Sequence, residues 1–132
     1  MSERPPPESP EAWLQRARSD LALGRAALAS PDVLKEDACF HAQQCGEKAL
    51  KALLVNRQIP FRRTHALEIL IDLLKDRDVP IPDEIDQSFS LTQYAVETRY
   101  PGEWEPVTYD EASSALATAE RVLRWVEVQI ND

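Results

Sequence analysis

The most regular hydrophobic pattern lies near the end of the chain, where apolar residues recur at steps of three and four over about six helical turns. Thr108 stands at the start of this pattern and Glu111 follows three residues later, which is the arrangement of a capping box. The pattern predicts a final helix with one stripe in the core. That stripe consists of Tyr109, Ala112, Leu116, Ala119, Leu123, Val126 and Ile130.

Two long helices are predicted in the first half of the chain. The first extends over residues 10–29, because Ser9 can cap it and Pro10 suits the first helical position. Gly24 would allow a neighbouring helix to approach it closely. The second extends over residues 35–56, before a proline-containing loop. The predicted buried stripe of the first helix consists of Trp13, Ala17, Leu21 and Leu28.

Two shorter helices are predicted in between. Thr64 can cap a third helix over residues 64–74. A fourth begins at Asp83 or Glu84, continues to Arg99 and is ended by Pro101. The predicted inner faces are Leu67, Leu70, Ile71 and Leu74 in the third helix, and Ile85, Phe89, Thr92 and Val96 in the fourth.

These helices, joined by short or proline-marked loops and without a strand pattern, predict an all-α fold. The expected architecture is an up-and-down helical bundle of four to five helices. Three consecutive prolines mark residues 1–9 as a flexible tail. Residues 10–132 are then expected to form a single domain, which is a size that can bury one core.

The second predicted helix has two different faces. On one face, Phe40, Leu54 and Val55 stand among polar and charged side chains, where a monomer would expose them to water. Apolar side chains in such places favour a partner surface. The polar members of this face are Gln44, Glu47, Lys48 and Lys51. The other face is apolar, wide and made mostly of small residues, namely Ala38, Cys39, Ala42, Cys45, Gly46, Ala49, Leu50 and Leu53.

Composition and charge exclude several classes of function. The chain of 132 residues is 29% charged and has a formal net charge of -8. This charge repels a phosphate backbone, so broad nucleic-acid binding is not expected. No apolar run approaches the ~20 residues that span a bilayer, and the start lacks the apolar core of a secretory signal, so we expect a cytoplasmic protein without membrane contact. Cys39 and Cys45 are expected to be small buried thiols.

Candidate catalytic chemistry is sparse. His41 and His65 are the only histidines, and neither has the sequence neighbours of a zinc site or of a catalytic histidine. No nucleotide-binding or hydrolase motif is present. We therefore expect no metal, no cofactor and no catalytic residue. His41 is expected at a polar edge with Gln44 and Lys48, and His65 is expected in a structural role at a helix start.

The segment ETRYPGEWEP, residues 97–106, carries more specific chemistry than a plain connector needs. As a structural corner, Tyr100 and Trp104 would cover the open end of the bundle while Arg99 pairs with an acid. As a binding segment, Arg99 would contact an anion or phosphate and Tyr100 would stack on a ligand or be modified. Both interpretations stay open at this point.

Three sequence blocks together resemble the HEPN domain family of bacteria and archaea. They are FHAQQCGEKALKALL at residues 40–54, THALEILIDLL at residues 64–74 and TRYP at residues 98–101. Their order and spacing resemble the family over residues 11–130. The resemblance implies a four- or five-helix bundle that forms a homodimer. It also implies a minimal nucleotidyltransferase as partner, in a two-component, toxin–antitoxin-like pair.

The resemblance further implies a ribonuclease activity, but this chain departs from the motif of that activity. Many HEPN proteins are metal-independent ribonucleases whose active site contains an arginine, four to six further residues and a histidine. Here no histidine follows Arg99, and Arg57 and His65 are separated by seven residues. Without an imidazole near Arg99, no general base is evident for a ribose hydroxyl. We expect a non-catalytic protein, and the alternative is a ribonuclease with the atypical set Arg99, Tyr100 and His65.

The resemblance assigns a role to the polar edge of the second helix. It implies that this edge faces the second subunit of the dimer, through Phe40, His41, Gln44 and Lys48. A secondary expectation is a nucleotide site at the dimer interface, formed by His41, Lys48, Arg99 and Tyr100. The function expected overall is that of an interaction or regulatory partner of a minimal nucleotidyltransferase. A small-molecule-binding bundle unrelated to any toxin system is the third alternative.

Overall fold

The structure, a computed structural model, describes residues 4–95 and 106–131. Within these ranges the chain is helical and contains no strand, which confirms the predicted all-α fold. None of the helices described there is both long and apolar enough to cross a membrane. The helices are α1 (Pro10–Ala29), α2 (Lys35–Asn56), α3 (Leu67–Lys75), α4 (Asp83–Asp86), the 3-10 helix η1 (Gln87–Tyr94) and α5 (Tyr109–Asn131).

The helices α1 and α2 form an antiparallel pair with the predicted ends. The Ser9 hydroxyl accepts a hydrogen bond from the Ala12 N–H at 3.1 Å, and a proline occupies the first turn of α1. Farther along the pair, Asp20 of α1 contacts His41 of α2, whereas Trp13 lies beside Lys51. A later residue of α1 thus meets an earlier residue of α2, and the reverse, so the two helices point in opposite directions.

The helix α2 lies at the centre of the bundle and packs against α1, α3, α5 and η1. Its predicted small-residue face is buried throughout, as expected for a helix with close neighbours. The prediction for the opposite face is partly wrong. Leu54, Glu47 and Lys51 are buried, while Phe40 and Val55 are half-buried. Because neighbours cover α2 on more than one side, little of it is left to contact solvent.

The helix α5 places most of its predicted stripe in the core, with buried residues between positions 112 and 126. The Thr108 hydroxyl accepts from the Glu111 N–H at 3.0 Å, which confirms the first half of the predicted cap. Tyr109 was predicted in the core, but it is exposed. Its ring lies 5.9 Å from Lys35 Nζ, a cation–π distance at the protein surface. The first turn of α5 therefore extends past the core.

The start of α3 differs from the prediction. The helix begins at Leu67, and the Leu67 N–H donates to the Thr92 hydroxyl of η1 at 3.0 Å. The Thr64 hydroxyl accepts from the Ala66 N–H instead. Thr64 is therefore not the cap of α3, because a residue distant in sequence takes that role.

The predicted fourth helix also differs, since it is not one α-helix. The helix α4 makes a single turn, and the chain continues as η1 until Ala95, whose backbone is extended. A 3-10 helix has about three residues per turn, so its side chains face other directions than those of an α-helix. Ser88 and Leu91 are accordingly buried, whereas Phe89, predicted inside, is exposed. Val96 lies outside the described ranges.

Both cysteines are buried, as predicted, and neither is part of a disulfide. Burial, reinforced by the negative charge of Asp20, raises the pKa of the Cys45 thiol to about 12 from an ordinary value of 9.0. The folded protein therefore keeps the Cys45 proton at pH values where the unfolded chain loses it.

Stability should consequently decrease as the pH rises above about 9, since the unfolded state then binds fewer protons than the folded state. This thiol alone should lower the unfolding free energy by about 1.4 kcal/mol per pH unit until its folded pKa is reached. Urea unfolding of the wild type and of Cys45→Ala, at neutral and alkaline pH, measures the difference. The variant should lose less stability on alkalinisation, and equal losses in both proteins would contradict the assignment.

Candidate functional site

A buried aspartate joins α1 to α2. Asp20 lies on the edge of α1 that faces α2, and it is almost entirely buried. One carboxylate oxygen accepts from His41 Nδ1 at 2.9 Å, and the other accepts from Lys48 Nζ at 2.6 Å. A buried carboxylate needs such partners, because burial of an unpaired charge costs several kcal/mol. Asp20 therefore holds two side chains of α2 in fixed positions.

The aspartate also determines which nitrogen of His41 carries a proton. A carboxylate only accepts hydrogen bonds, so Nδ1 is the protonated nitrogen and Nε2 keeps its lone pair when the ring is neutral. The His41 side chain is 26% exposed, and its ring meets the Phe40 ring edge to face at 5.2 Å between centroids. The neutral imidazole therefore keeps one nitrogen, Nε2, that can accept a further hydrogen bond.

A second buried carboxylate belongs to Glu47 of α2, whose side chain is only 4% exposed. Its Oε1 accepts from His65 Nδ1 at 2.8 Å and from Gln43 Nε2 at 3.0 Å. Its Oε2 accepts from Lys51 Nζ at 2.8 Å. The Gln43 amide also donates to the His65 carbonyl oxygen at 3.0 Å. These bonds tie the loop before α3 to the centre of the bundle and agree with the structural role predicted for His65.

The Lys51 ammonium lies between this carboxylate and two aromatic rings. Its Nζ is 5.5 Å from the Trp13 ring centroid and 5.8 Å from that of Phe61. Both distances fall within the range of cation–π contacts, which strengthen when the cation is removed from water. The glutamate and the rings together compensate the burial of Lys51, so its charge serves chiefly to hold α1, α2 and the following loop together.

The structure places the predicted interface residues next to one another. His41 and Lys48 share the Asp20 carboxylate and remain partly exposed. Gln44 lies between them along α2 and donates to the Gln43 side chain at 2.6 Å, which in turn donates to Glu47. We refer to Phe40, His41, Gln44 and Lys48 as the α2 edge.

Three further residues that the sequence singled out are not among those that the structure describes. Arg99 and Tyr100 of the expected nucleotide site, like Trp104, lie outside the described ranges. In the described part of the chain, no group of three or more potential ligands could hold a metal ion. The chemistry that can be described is therefore that of the two carboxylates and their cationic partners.

Asp20 and Glu47, the two residues that organise this site, were not predicted as site residues. A signal was present for each. Asp20 lies three residues after Ala17 and four before Gly24, so it continues the buried stripe of α1. Glu47 lies four residues before Lys51, the spacing that brings opposite charges together on one helix face. A charged residue within a buried stripe points to an ion pair in the interior.

The chain is similar in sequence to a known family and to a named protein of similar length. The sequence model described as HEPN domain matches residues 10–129 of the chain. “Putative toxin MJ1304” of Methanocaldococcus jannaschii is 30% identical over 129 residues, which cover 87% of this chain and 84% of that protein. The similarity therefore extends over most of both proteins.

Two solved structures have a similar fold. ST0689, described as an archaeal HEPN homologue, superposes with a TM-score of 0.76 at 32% identity, over 92% of this chain and 98% of that one. TT1696 from Thermus thermophilus superposes with a TM-score of 0.75 at 34% identity, over 89% of this chain and 95% of that one. Nearly the whole bundle is thus shared with both proteins.

Proposed function

Because the chain belongs to the HEPN domain family, with a match over residues 10–129, we propose that it is the homodimeric, non-catalytic HEPN component of a toxin–antitoxin-type pair. Its partner would be a minimal nucleotidyltransferase, which the chain binds and regulates or which modifies the chain. The name of the relative “Putative toxin MJ1304” supports the toxin–antitoxin context. The ordered α2 edge supports the dimer.

The dimer is supported chiefly by the fact that the partly exposed polar groups of the α2 edge are already held in place. Ordering a long side chain at an interface normally costs about 0.5–1.5 kcal/mol. Here Asp20 orders both His41 and Lys48 within the protomer, at 2.9 and 2.6 Å. Much of that cost is thus met before association. A second copy could use the same groups in return, as in an isologous contact.

Apolar surface lies on both sides of these polar groups. Phe40 is half-buried against the His41 ring. On α1, Leu23 follows Asp20 by three residues, so it lies on the same side of the helix, and it is 50% exposed. Two-fold contacts commonly combine apolar and polar side chains in this way. The α2 edge together with Leu23 is the surface that we assign to the second subunit.

Nucleotide binding is the second part of the proposal. His41 and Lys48 would line a cleft between the subunits, together with Arg99 and Tyr100. Asp20 already balances the charge of Lys48, so Arg99 would have to supply most of the attraction for a phosphate. The His41 Nε2 would then accept a hydrogen bond from the ligand.

The dimer is tested with Phe40→Glu, which would place two negative charges at the centre of the contact. Light scattering should show a dimer for the wild type and a monomer for the variant, because unpaired charges are costly to bury. Phe89→Glu is the matched control, since Phe89 is an exposed aromatic residue on η1, and it should leave the mass unchanged. A monomeric wild type, or a dimer that persists in Phe40→Glu, would refute the proposed contact.

The partner and the absence of catalysis are tested separately. Affinity purification of the wild type from native lysate should recover a minimal nucleotidyltransferase. The purified chain should leave single-stranded RNA intact without metal. If it cleaves RNA and Arg99→Ala abolishes the cleavage, the chain is a ribonuclease and the non-catalytic proposal is wrong.

A further inference from the structure

A broad cleft opens between the start of α1, the end of α2 and the loop before α3, with a volume of about 1280 Å³. Trp13 and Phe61 form an apolar part of its wall, with ring centroids 6.4 Å apart and ring planes at 68°. Lys51 lies beneath them. No residue of the α2 edge is among those that line the cleft.

The cleft is a cationic region of an acidic protein. Arg62 and Arg63 are exposed on the loop and line it, whereas Glu8 contributes the single carboxylate of the lining. The third cation of the lining, Lys51, is already paired with Glu47, so the two arginines set the charge of the cleft. The chain as a whole has a formal net charge of -8, so the sign of the cleft is opposite to that of the remaining surface. A local field of this kind attracts an anionic group and orients it.

The two arginines are available for such a group. Within residues 4–95 and 106–131, neither Arg62 nor Arg63 forms an ion pair, although other arginines of the chain do. A guanidinium presents a planar fork of donors that fits a carboxylate or a phosphate through two parallel hydrogen bonds. Two adjacent guanidinium forks beside an apolar wall would therefore suit a ligand with both anionic and apolar groups.

We infer that this cleft binds a short, extended and acidic segment of a partner protein. Carboxylates of the segment would pair with Arg62 and Arg63, and an apolar side chain would pack on Trp13 and Phe61. The inference rests on the proposed function only in that the chain has a protein partner. It adds the chemistry of the docking segment and a surface distinct from the α2 edge.

Two features favour a peptide over a nucleobase or a nucleic acid. The rings of Trp13 and Phe61 are inclined at 68° to each other, so they do not form a parallel slot for stacking a base. A nucleic acid strand would also continue beyond the cleft over an acidic surface that repels its backbone. A short acidic segment has its charges only where the cleft is positive.

Fluorescence anisotropy with a fluorescein-labelled peptide of alternating Glu and Leu residues tests the inference. The full chain should bind this peptide, and Arg62→Glu/Arg63→Glu should weaken the affinity roughly 10-fold or more, because attraction becomes repulsion at two positions. Arg77→Glu/Arg121→Glu is the matched control. It makes the same change in net charge at exposed arginines away from the cleft, and it should leave the affinity within about two-fold.

The inference is overturned if the wild type does not bind the peptide, if both double variants bind it as the wild type does, or if both weaken the binding equally. It is also overturned if ATP or oligouridylate binds instead and Arg62→Glu/Arg63→Glu abolishes that binding, since the cleft would then be a phosphate site. Peptide binding without recovery of a nucleotidyltransferase from lysate would leave the cleft assignment standing and refute the proposed partner. Recovery of the transferase without peptide binding would support the proposed partner and refute the assignment of the cleft.

Discussion

Glu47→Gln is expected to lower the unfolding free energy by about 3–5 kcal/mol. The substitution keeps the size of the side chain and removes only its charge, which leaves the buried Lys51 ammonium without a carboxylate. It also weakens the bond to His65 Nδ1, which Glu47 accepts at 2.8 Å. Urea unfolding at neutral pH, followed by circular dichroism, measures the loss.

Two further variants distinguish a buried ion pair from a general effect of losing an acid. Glu84→Gln removes a charge from the exposed surface of α4, and it should change stability by less than about 0.5 kcal/mol. Glu47→Leu/Lys51→Met replaces the pair with apolar groups of similar size and should restore much of the stability. Equal losses in Glu47→Gln and Glu84→Gln would show that the pair does not stabilise the fold.

Gly24→Val is expected to destabilise the protein by about 3 kcal/mol and to lower its Tm by about 10 °C. A methyl group at Gly24 would lie 2.5 Å from Leu116 Cδ2 and 3.3 Å from the Ala38 carbonyl oxygen. The leucine can rotate, but the carbonyl belongs to the backbone of α2. Valine adds two more carbons at this three-helix contact, so α1 would have to move away from its neighbours. Calorimetry of both proteins gives the change in Tm.

Companion variants show whether the contact with Leu116 is the cause. Gly24→Ala should cost less stability than Gly24→Val. Alanine adds only one carbon at the contact, and in a helix interior it is about 1 kcal/mol more favourable than glycine. In a double-mutant cycle, Leu116→Ala should reduce the penalty of Gly24→Val, since it vacates the space that valine needs. Strictly additive losses would mean that Leu116 is not the residue that valine displaces.

The sequence predicted those parts of the fold that depend on local chemistry. The start of α1 follows from Ser9 and Pro10, which act within one helical turn. The start of α3 does not, because its cap is Thr92, 25 residues farther along the chain. The change from α4 to η1 was likewise missed, since an apolar spacing that suits an α-helix cannot reveal a tighter winding imposed by packing.

The candidate site, like the fold, was predictable only where it depends on residues close together in the sequence. His41 and Lys48 were expected at a polar edge because both lie on one face of α2, and the structure places them there. The acid that holds them was not expected, because Asp20 lies 21 and 28 residues away from its two partners. Periodicity identifies which face of a helix a residue occupies, but not which residue of another helix will meet it. The pairing arises only when α1 and α2 pack together.

The cap of α3 bears on the order in which the chain folds. An isolated helix of nine residues is too short to persist in water, and α3 has no side-chain cap of its own. The Thr92 hydroxyl both accepts from the Leu67 N–H and donates to Glu68, so η1 completes the first turn of α3 from outside. The two segments should therefore become ordered together, after α1, α2 and α5 have provided the surface on which they assemble.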